Sequence, residues 1–297
     1  MVKQKDKMVE DILKWYNNRK YIRIGSDVSV TELLDPPRLV HLRDRHKPQI
    51  KSTDLSGEIP ALVGTGTHSI LQNYLRTESY VSNSWLIERR MTAVVNDVRI
   101  AGKFDALKDL KHMYDIKVTR VWKYIYGNNK DFERQLNMYD YFMHLDGYEI
   151  ETLKIMMVIL DWSEGKKWER GYPNSRIQII PIKKWSRTQQ KKFIEDRVNS
   201  WKAAKPLADD KLPECSLDDR WAEKEVHKLY RLPNAQKAYK IFNTKTGAKS
   251  YQDVCQANEP KKWDKSIIKT FRAKPWKRCE SWCKVADFCN QYQNRIK

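Results

Sequence analysis

The sequence lacks any apolar run long enough to cross a membrane, and its start lacks the apolar segment of a signal peptide. The longest apolar stretch, Ile155–Leu160, has only the length of a strand, whereas a membrane-spanning helix needs about 20 apolar residues. The opening residues, MVKQKDKMVEDILKWY, are charged throughout. We therefore expect a soluble, cytoplasmic protein with no membrane partner, in a compartment where thiols stay reduced.

Acidic residues are too few to balance the basic ones. The 297 residues include 57 Lys and Arg but 38 Asp and Glu, which gives a net charge of +19. This excess favours a polyanionic partner, with nucleic acid first and an anionic membrane surface second. Hydrophobic residues make up 40% of the chain and aromatic residues 11%, which excludes a disordered basic tail.

The chain also lacks internal repeats and a phosphate-binding P-loop. Residues 64–67 read Gly-Thr-Gly-Thr, but the Gly-Lys-Ser/Thr that a P-loop requires does not follow. We interpret these glycines as flexible backbone that admits a close turn, with His68 at the start of the helix that follows.

Hydrophobic periodicity predicts helices and strands in alternating order. A helix after His68 precedes several short strands over 85–118, a helix at Phe132–Leu145, two more strands and a basic helix at Thr188–Lys202. Such an order is typical of an α/β domain with a mixed β-sheet flanked by helices. We predict three parts, a basic N-terminal segment, the α/β core and a basic C-terminal segment, over 1–60, 61–205 and 206–297.

Two aspartates and a lysine fall near the ends of neighbouring predicted strands. Asp115 and Lys117 are two residues apart, so they project to one face while Ile116 turns into the core. A hairpin would bring Asp105 to the same edge. Paired carboxylates bind a hard cation such as Mg²⁺ or Mn²⁺, which activates water, and a nearby lysine stabilises developing negative charge. The alternative is that both aspartates are ordinary surface charges.

Further motifs surround these residues in a fixed order. The blocks GTGTHSILQNYL, IAGKFDALKD, YDIKVTR and FERQLNMYDYF contain Gly-x3-His68, Gly-x2-Asp105, Asp115-x-Lys117 and Gln135-x3-Tyr139. This array resembles the PD-(D/E)XK nuclease superfamily, specifically its RecB-like branch, over roughly 61–160. Residues before the core and the Cys-rich tail add a looser likeness to phage-encoded nucleases. The resemblance implies a restriction-endonuclease-like core and metal-dependent hydrolysis of DNA in recombination, repair or phage DNA processing, with an exonuclease as first choice and an endonuclease as the alternative.

The resemblance also implies a metal site. Asp105 and Asp115 would ligate Mg²⁺ or Mn²⁺, His68 would be an additional ligand, and the carbonyl of Ile116 would add another. Glutamate is commoner in the family at the position of Asp115, and aspartate is shorter by a methylene group.

The same resemblance implies supporting roles for other residues. Lys117 would serve the attacking water. Gln135 and Tyr139, at i and i+4 on one helix face, would contact the DNA backbone or brace the site. Glu88 is a further acidic candidate, with a solvated strand charge as its alternative.

The cysteines suggest a second metal-binding group. Cys279, Cys283 and Cys289 lie within eleven residues, and a fourth ligand would be Cys215 or, as second choice, Cys255. Four thiolates hold either structural Zn²⁺ or a [4Fe-4S] cluster. Some RecB-like nucleases hold such a cluster on three C-terminal cysteines and one distant cysteine, but here the first spacing is x3 instead of x2. The alternative is thiols packed as small apolar side chains.

The last segment, 261–297, has 11 Lys and Arg against 3 Asp and Glu, interleaved with tryptophan and phenylalanine. Cations bind phosphates and aromatic rings stack on unpaired bases, so DNA is the expected partner. The alternative is a solvated basic face over a core that simply uses tryptophan.

Two other functional classes compete with a nuclease. A non-catalytic nucleic-acid-binding protein on a nuclease fold leaves the paired carboxylates unexplained, because without a metal ion they repel DNA. A metal-stabilised scaffold leaves the histidine and Gln-x3-Tyr motifs unexplained. For a nuclease we expect a bacterial or phage-infected bacterial cell, and a helicase, recombinase or annealing protein as partner.

Overall fold

The computed structural model describes residues 25–50, 55–82 and 84–296. The chain forms two compact units. Within the described residues, the first unit takes 25–37 and 55–207, and the second takes 38–50 and 208–296. The three-part division inferred from composition stays a prediction.

The strands are short and occur in both units. In chain order they are β1 Val28–Ser29, β2 Trp85–Ile87, β3 Arg90–Val95, β4 Val98–Lys103, β5 Ala106–Lys108, β6 His112–Thr119, β7 Thr152–Ile159, β8 Ile177–Ile182, β9 Val226–Tyr230, β10 Lys240–Phe242 and β11 Ile267–Phe271.

The α-helices of the described residues range from one turn to more than seven turns. They are α1 Val30–Leu34, α2 Pro37–Arg45, α3 Leu55–Ser82, α4 Val121–Tyr126, α5 Lys130–Leu145, α6 Arg187–Ala204, α7 Lys245–Asn258, α8 Pro260–Trp263, α9 Lys277–Ser281 and α10 Asn290–Gln293. None of these helices is both long and apolar enough to cross a membrane.

Two mixed sheets build the first unit. The five-stranded sheet has the order β2-β5-β6-β7-β8, and β6–β7 is its parallel pair. The three-stranded sheet has the order β1-β4-β3, with β1 parallel and β3 antiparallel to β4. Parallel neighbours need a crossover connection, and α4 and α5 form it between β6 and β7. The prediction of an α/β fold with mixed sheets and flanking helices is confirmed.

Strand alternation and one helix face form the core of this unit. Every second residue of β7 is buried, and these residues are Leu153, Ile155, Met157 and Ile159. Helix α5 packs on β6, β7 and β8 with Leu136, Phe142 and Met143 buried. Burying each such side chain contributes roughly 1.5–3 kcal/mol, so the packing of α5 fixes where its polar side chains meet the sheet.

The second unit combines an antiparallel sheet with the Cys-rich segment. Its sheet has the order β10-β9-β11, and α7 packs against it. Arg38, which is 3% exposed, donates from Nε to the Pro213 carbonyl at 3.0 Å and from Nη1 to Asn290 Oδ1 at 2.5 Å. These bonds attach 38–50 to the C-terminal part of the chain. The metal-binding character of the Cys-rich segment stays a prediction.

The turn expected before His68 is wrong. Gly64 and Gly66 lie inside α3, a helix of 28 residues, and neither has a positive φ. Thr65 Oγ1 donates to the Ala61 carbonyl at 2.9 Å, so the polar side chain is satisfied within the helix. Glycine lowers helix propensity by only about 1 kcal/mol, and a long helix tolerates it.

A buried asparagine joins α5 to the segment that follows β8. Asn137, which is 0% exposed, donates to the carbonyls of Glu133 and Lys183 at 2.8 and 2.9 Å. Its Oδ1 accepts from Trp185 N at 2.8 Å and from Gln190 Nε2 at 3.1 Å. All four hydrogen-bonding positions of the amide are therefore used.

We expect Asn137→Ala to lower the free energy of unfolding by on the order of 2–4 kcal/mol, because buried groups lose their partners. Urea denaturation followed by circular dichroism measures this loss. Lys191→Ala, on the exposed face of α6, is the control and should change stability by less than about 0.5 kcal/mol. Equal effects of the two substitutions would show that the network does not stabilise the unit.

Candidate active site

Strand β6 places a carboxylate and an ammonium side by side. Asp115 is 3% exposed and Ile116 is 0% exposed, and Lys117 lies on the same face as Asp115, as the alternation predicts. Lys117 Nζ is 2.7 Å from Asp115 Oδ2. Although this is an ion pair, Oδ2 is buried and accepts no well-oriented hydrogen bond among the described residues.

The second carboxylate reaches β6 through a hairpin. Asp105 lies between β4 and β5, and β5 pairs antiparallel with β6. The amide of Ile116 donates to Asp105 Oδ2 at 2.7 Å. A backbone hydrogen bond therefore fixes this carboxylate beside the strand that carries Asp115 and Lys117.

The two carboxylates raise the proton affinity of the site. Burial is the main reason that the pKa of Asp105 rises to about 6, and the charge of Asp115 adds to the rise. His68, the Ile116 amide and Lys117 act in the opposite direction. Asp105 is thus a base whose charge is costly unless a cation lies near it.

A chain of hydrogen bonds holds Lys117 from the other side. Lys117 Nζ donates to Gln135 Oε1 at 3.1 Å, and Gln135 Nε2 donates to Tyr139 Oη at 3.0 Å. Gln135 and Tyr139 lie one turn apart on the buried face of α5. Burial, with the charges of Asp115 and Asp105, raises the pKa of Tyr139, so the phenol stays protonated.

Gly102 makes room for this helix. A Cβ at Gly102 would lie 2.6 Å from Tyr139 Cε1 and 2.8 Å from Val30 Cγ2. Both distances are shorter than carbon atoms tolerate, so only glycine lets the tyrosine ring lie against β4. The glycine that precedes Asp105 by three residues is therefore a packing requirement, which its spacing in the sequence did not reveal.

His68 reaches the site from the middle of α3. Its Nδ1 lies 3.7 Å from Asp105 Oδ2. The structure thus brings together Asp105, Asp115 and Lys117 with His68, Gln135 and Tyr139. The expectation that His68 starts its helix is wrong, because α3 begins at Leu55.

Glu88 is held by two cations at the rim. It forms ion pairs with Lys103 and Arg76. Burial opposes ionisation of Glu88, but these two partners outweigh it and lower its pKa. The sequence singled out Glu88 but neither partner, since neither lies near it along the chain.

The donors of this site suit a hard divalent cation. Asp105 and Asp115 offer carboxylate oxygens, His68 offers an imidazole nitrogen, and the buried Asp115 Oδ2 accepts no well-oriented hydrogen bond among the described residues. Within the described ranges, no group of three His, Cys, Asp or Glu side chains is arranged to hold a metal ion as it stands. The metal and its ligands, including the Ile116 carbonyl, stay predictions.

Four of the five cysteines lie near one another in the second unit. Burial raises the pKa of Cys215 to about 12, and Asp219, Cys289, Cys283 and Cys279 add to the rise. Burial likewise raises the pKa of Cys279 to about 11. Cys255 instead interacts with Tyr251 on α7. The structure thus places Cys215 with the three C-terminal thiols, while metal binding stays a prediction.

The aromatic residues of the tail have mixed surroundings. Trp263 is buried, whereas Trp282 is 68% exposed and Phe271 is 42% exposed. Arg220 lies 4.0 Å above the ring of Trp276. Some of these rings therefore serve the core of the second unit, as the alternative interpretation predicts.

Comparison with known proteins gives distant likenesses. No protein-family model and no curated protein matches the sequence. Among solved structures, SSO0001 is similar with 18% identity and a TM-score of 0.42, over 65% of this chain and 84% of that one. A candidate exonuclease from Eubacterium rectale is similar with 13% identity and a TM-score of 0.30, over 41% of this chain and 47% of its own length.

Because folding raises the pKa of Asp105, the contribution of this one group to the stability of the metal-free protein should fall as the pH rises from about 4 to about 6. We expect Asp105→Asn to be more stable than the wild type by up to about 3 kcal/mol at neutral pH, and this gain should vanish near pH 4. Urea denaturation in EDTA across this pH range measures the difference.

Asp161→Asn is the matched control, since Asp161 Oδ1 also accepts a backbone hydrogen bond, from Val121 N at 2.7 Å. It should show no such pH-dependent gain. An Asp105→Asn protein that is less stable at neutral pH would contradict the electrostatic account.

Proposed function

We propose that this protein is a divalent-metal-dependent deoxyribonuclease that hydrolyses DNA phosphodiester bonds. The observation that carries the proposal is the placement of Asp105, Asp115 and Lys117 on one side of β6. Asp115 is buried, Asp105 is half-buried beside it, and the ammonium of Lys117 lies 2.7 Å from Asp115 Oδ2.

Charge supports a DNA substrate. A protein with a net charge of +19 attracts phosphates, yet this site presents two carboxylates that repel them. A bound cation would remove the contradiction, because it neutralises the negative charge of the carboxylates and attracts phosphate oxygens. Held by Asp105, Asp115 and His68, Mg²⁺ or Mn²⁺ would supply Lewis-acid chemistry and lower the pKa of water.

Lys117 would act on the reacting groups. Its ammonium can donate to the attacking water or to a phosphate oxygen that gains negative charge. Gln135 holds Nζ at 3.1 Å, and Tyr139 in turn holds Gln135. In the reaction, the water oxygen would bond to phosphorus and release one proton to solvent, the bond from phosphorus to the leaving sugar oxygen would break, and that oxygen would take up one proton from solvent.

We also propose that cleavage proceeds from DNA ends, as the family resemblance implies. The setting in recombination, repair or phage DNA processing, and a helicase, recombinase or annealing-protein partner, rest on the same resemblance.

End-labelled linear DNA and closed circular DNA, each single- and double-stranded, test the proposal in EDTA, Mg²⁺ or Mn²⁺. We expect cleavage only with a divalent metal, and only of linear DNA. Lys117→Ala should reduce the cleavage rate by a factor of roughly 100 or more. The substitution removes the ammonium that would donate a hydrogen bond to the oxygen that gains negative charge.

Lys154→Ala is the matched control. Lys154 lies on the neighbouring strand β7, with Nζ 5.3 Å from the centroid of Tyr114, and its substitution should leave cleavage within a few-fold of the wild type. Binding without cleavage in every metal, equal in both variants and the wild type, would refute the nuclease and favour a DNA-binding role. Cleavage of closed circles would refute the exonuclease alone.

We further propose that Cys215, Cys279, Cys283 and Cys289 hold one metal group, either Zn²⁺ or a [4Fe-4S] cluster. The Cys215 amide donates to Gln291 Oε1 at 2.9 Å, two residues after Cys289, and the mutual influence of the four thiols on their pKa values also supports this proposal. A bound cation would stabilise the thiolates and attach the C-terminal segment to its unit.

Elemental analysis and visible absorption of protein purified without oxygen should reveal zinc, or iron with sulfide. We expect Cys215→Ser and Cys289→Ser to lose most of the metal and some thermal stability. Cys255→Ser, on α7, should keep both. Full metal content in Cys289→Ser would contradict the proposed ligand set.

A further inference from the structure

A pair of exposed aromatic rings lies on the short helix that follows β6. Trp122 and Tyr126 are one turn apart on α4, and their ring centroids are 5.5 Å apart with the ring planes inclined by 10°. Trp122 is 59% exposed and Tyr126 is 74% exposed. These two large apolar surfaces are thus stacked on each other and open to solvent.

Helix α4 is attached to the first unit at its N-terminal end and closed by its own cap at the other. The amide of its first residue, Val121, donates to Asp161 Oδ1 at 2.7 Å, and the Val121 side chain is buried. Gly127 ends the helix in the left-handed conformation, with φ of 58°, and donates its amide to the Lys123 carbonyl. The aromatic pair is therefore presented on a fixed turn instead of a loose loop.

One ring connects this helix to the candidate active site. Lys117 Nζ lies 5.3 Å from the centroid of Phe132, and Lys123 Nζ lies 4.7 Å from the same centroid. The lysine of the site and the lysine of α4 thus share one aromatic neighbour. The helix that carries the exposed pair therefore lies beside the candidate active site.

The charge of residues 117–130 indicates which kind of partner binds over the rings of Trp122 and Tyr126. Residues 117–130 contain four cations, and Asp131 follows them: Lys117 is paired with Asp115, Lys123 is half-buried, and Arg120 and Lys130 are exposed. An apolar protein partner would gain little from this charge, whereas a nucleic acid strand offers phosphates to the cations and flat bases to the rings. Bases in a duplex are already stacked, so the rings fit bases that are unpaired.

We propose that Trp122 and Tyr126 form a platform on which unpaired bases of the DNA substrate stack beside the active site, an inference that rests on the proposed function. The cations of 117–130 bind the phosphates of the same strand. The preferred substrate is therefore single-stranded DNA, or a duplex end whose strands have separated. Because every base has a flat face, the platform does not select a sequence.

Binding of a fluorescein-labelled oligothymidylate in EDTA tests the platform without requiring cleavage. We expect Trp122→Ala and Tyr126→Ala each to raise Kd by about tenfold, while Trp122→Phe retains most of the affinity. Oligodeoxyadenylate should behave in the same way. A blunt duplex of the same length should bind more weakly to the wild type and respond little to these substitutions.

Trp168→Ala is the matched control. Trp168 belongs to the same unit, is 87% exposed and has Lys167 Nζ 5.0 Å from its ring centroid, so it shares the exposure and the nearby cation. Its substitution should change Kd by less than about twofold. Equal losses for Trp122→Ala and Trp168→Ala, or tighter binding of the blunt duplex, would overturn the proposal.

The cleavage assay on the wild type separates this proposal from the proposed function. If the wild type cleaves DNA with Mg²⁺ or Mn²⁺ but Trp122→Ala binds oligothymidylate normally, the platform is refuted and the nuclease stands. If no metal supports cleavage but Trp122→Ala and Tyr126→Ala lose affinity while Trp168→Ala does not, the nuclease is refuted and the platform stands as a binding site for single-stranded DNA.

Discussion

The candidate site depends on two carboxylates held side by side against β6, of which Asp115 is buried and Asp105 is half-buried. Left alone, Asp105 and Asp115 would repel each other in a region that water reaches poorly, and this repulsion is one reason that the pKa of Asp105 rises to about 6. Proteins tolerate such an arrangement only when cations or donors compensate it. Lys117, the Ile116 amide and His68 supply part of that compensation, so the electrostatics of the carboxylate pair explains why these groups converge there.

The rest of the first unit holds the side chains of the site in position. The hairpin of β5 and β6 fixes Asp105, and the packing of α5 fixes the Gln135–Tyr139 chain that holds Lys117. The absence of a side chain at Gly102 allows α5 to approach β4. A change at any of these supports would move Lys117 without touching it, which is how packing controls a site of this kind.

Much of the first unit was predictable from the sequence, because its strands and helices have clear periodicity. The burial alternation of β7 and the i, i+4 relation of Gln135 and Tyr139 are local patterns. The three-residue strand β5 carries too little pattern to be predicted, and the glycines at 64 and 66 gave a false turn because local sequence does not show that a long helix surrounds them. Arg38 was also not predictable, since its partners lie more than 170 residues further along the chain.

Stability and the proposed metal binding would be coupled at the carboxylate pair. Without a metal ion, ionised Asp105 destabilises the folded state, because the unfolded chain solvates the same charge fully. A cation that binds only the folded state would stabilise it by an amount that grows with the logarithm of its concentration. The geometry that makes the site costly when metal-free is therefore the geometry that would make it select a divalent cation. A more stable arrangement, with one carboxylate replaced by an amide, would lose the charge that attracts the metal.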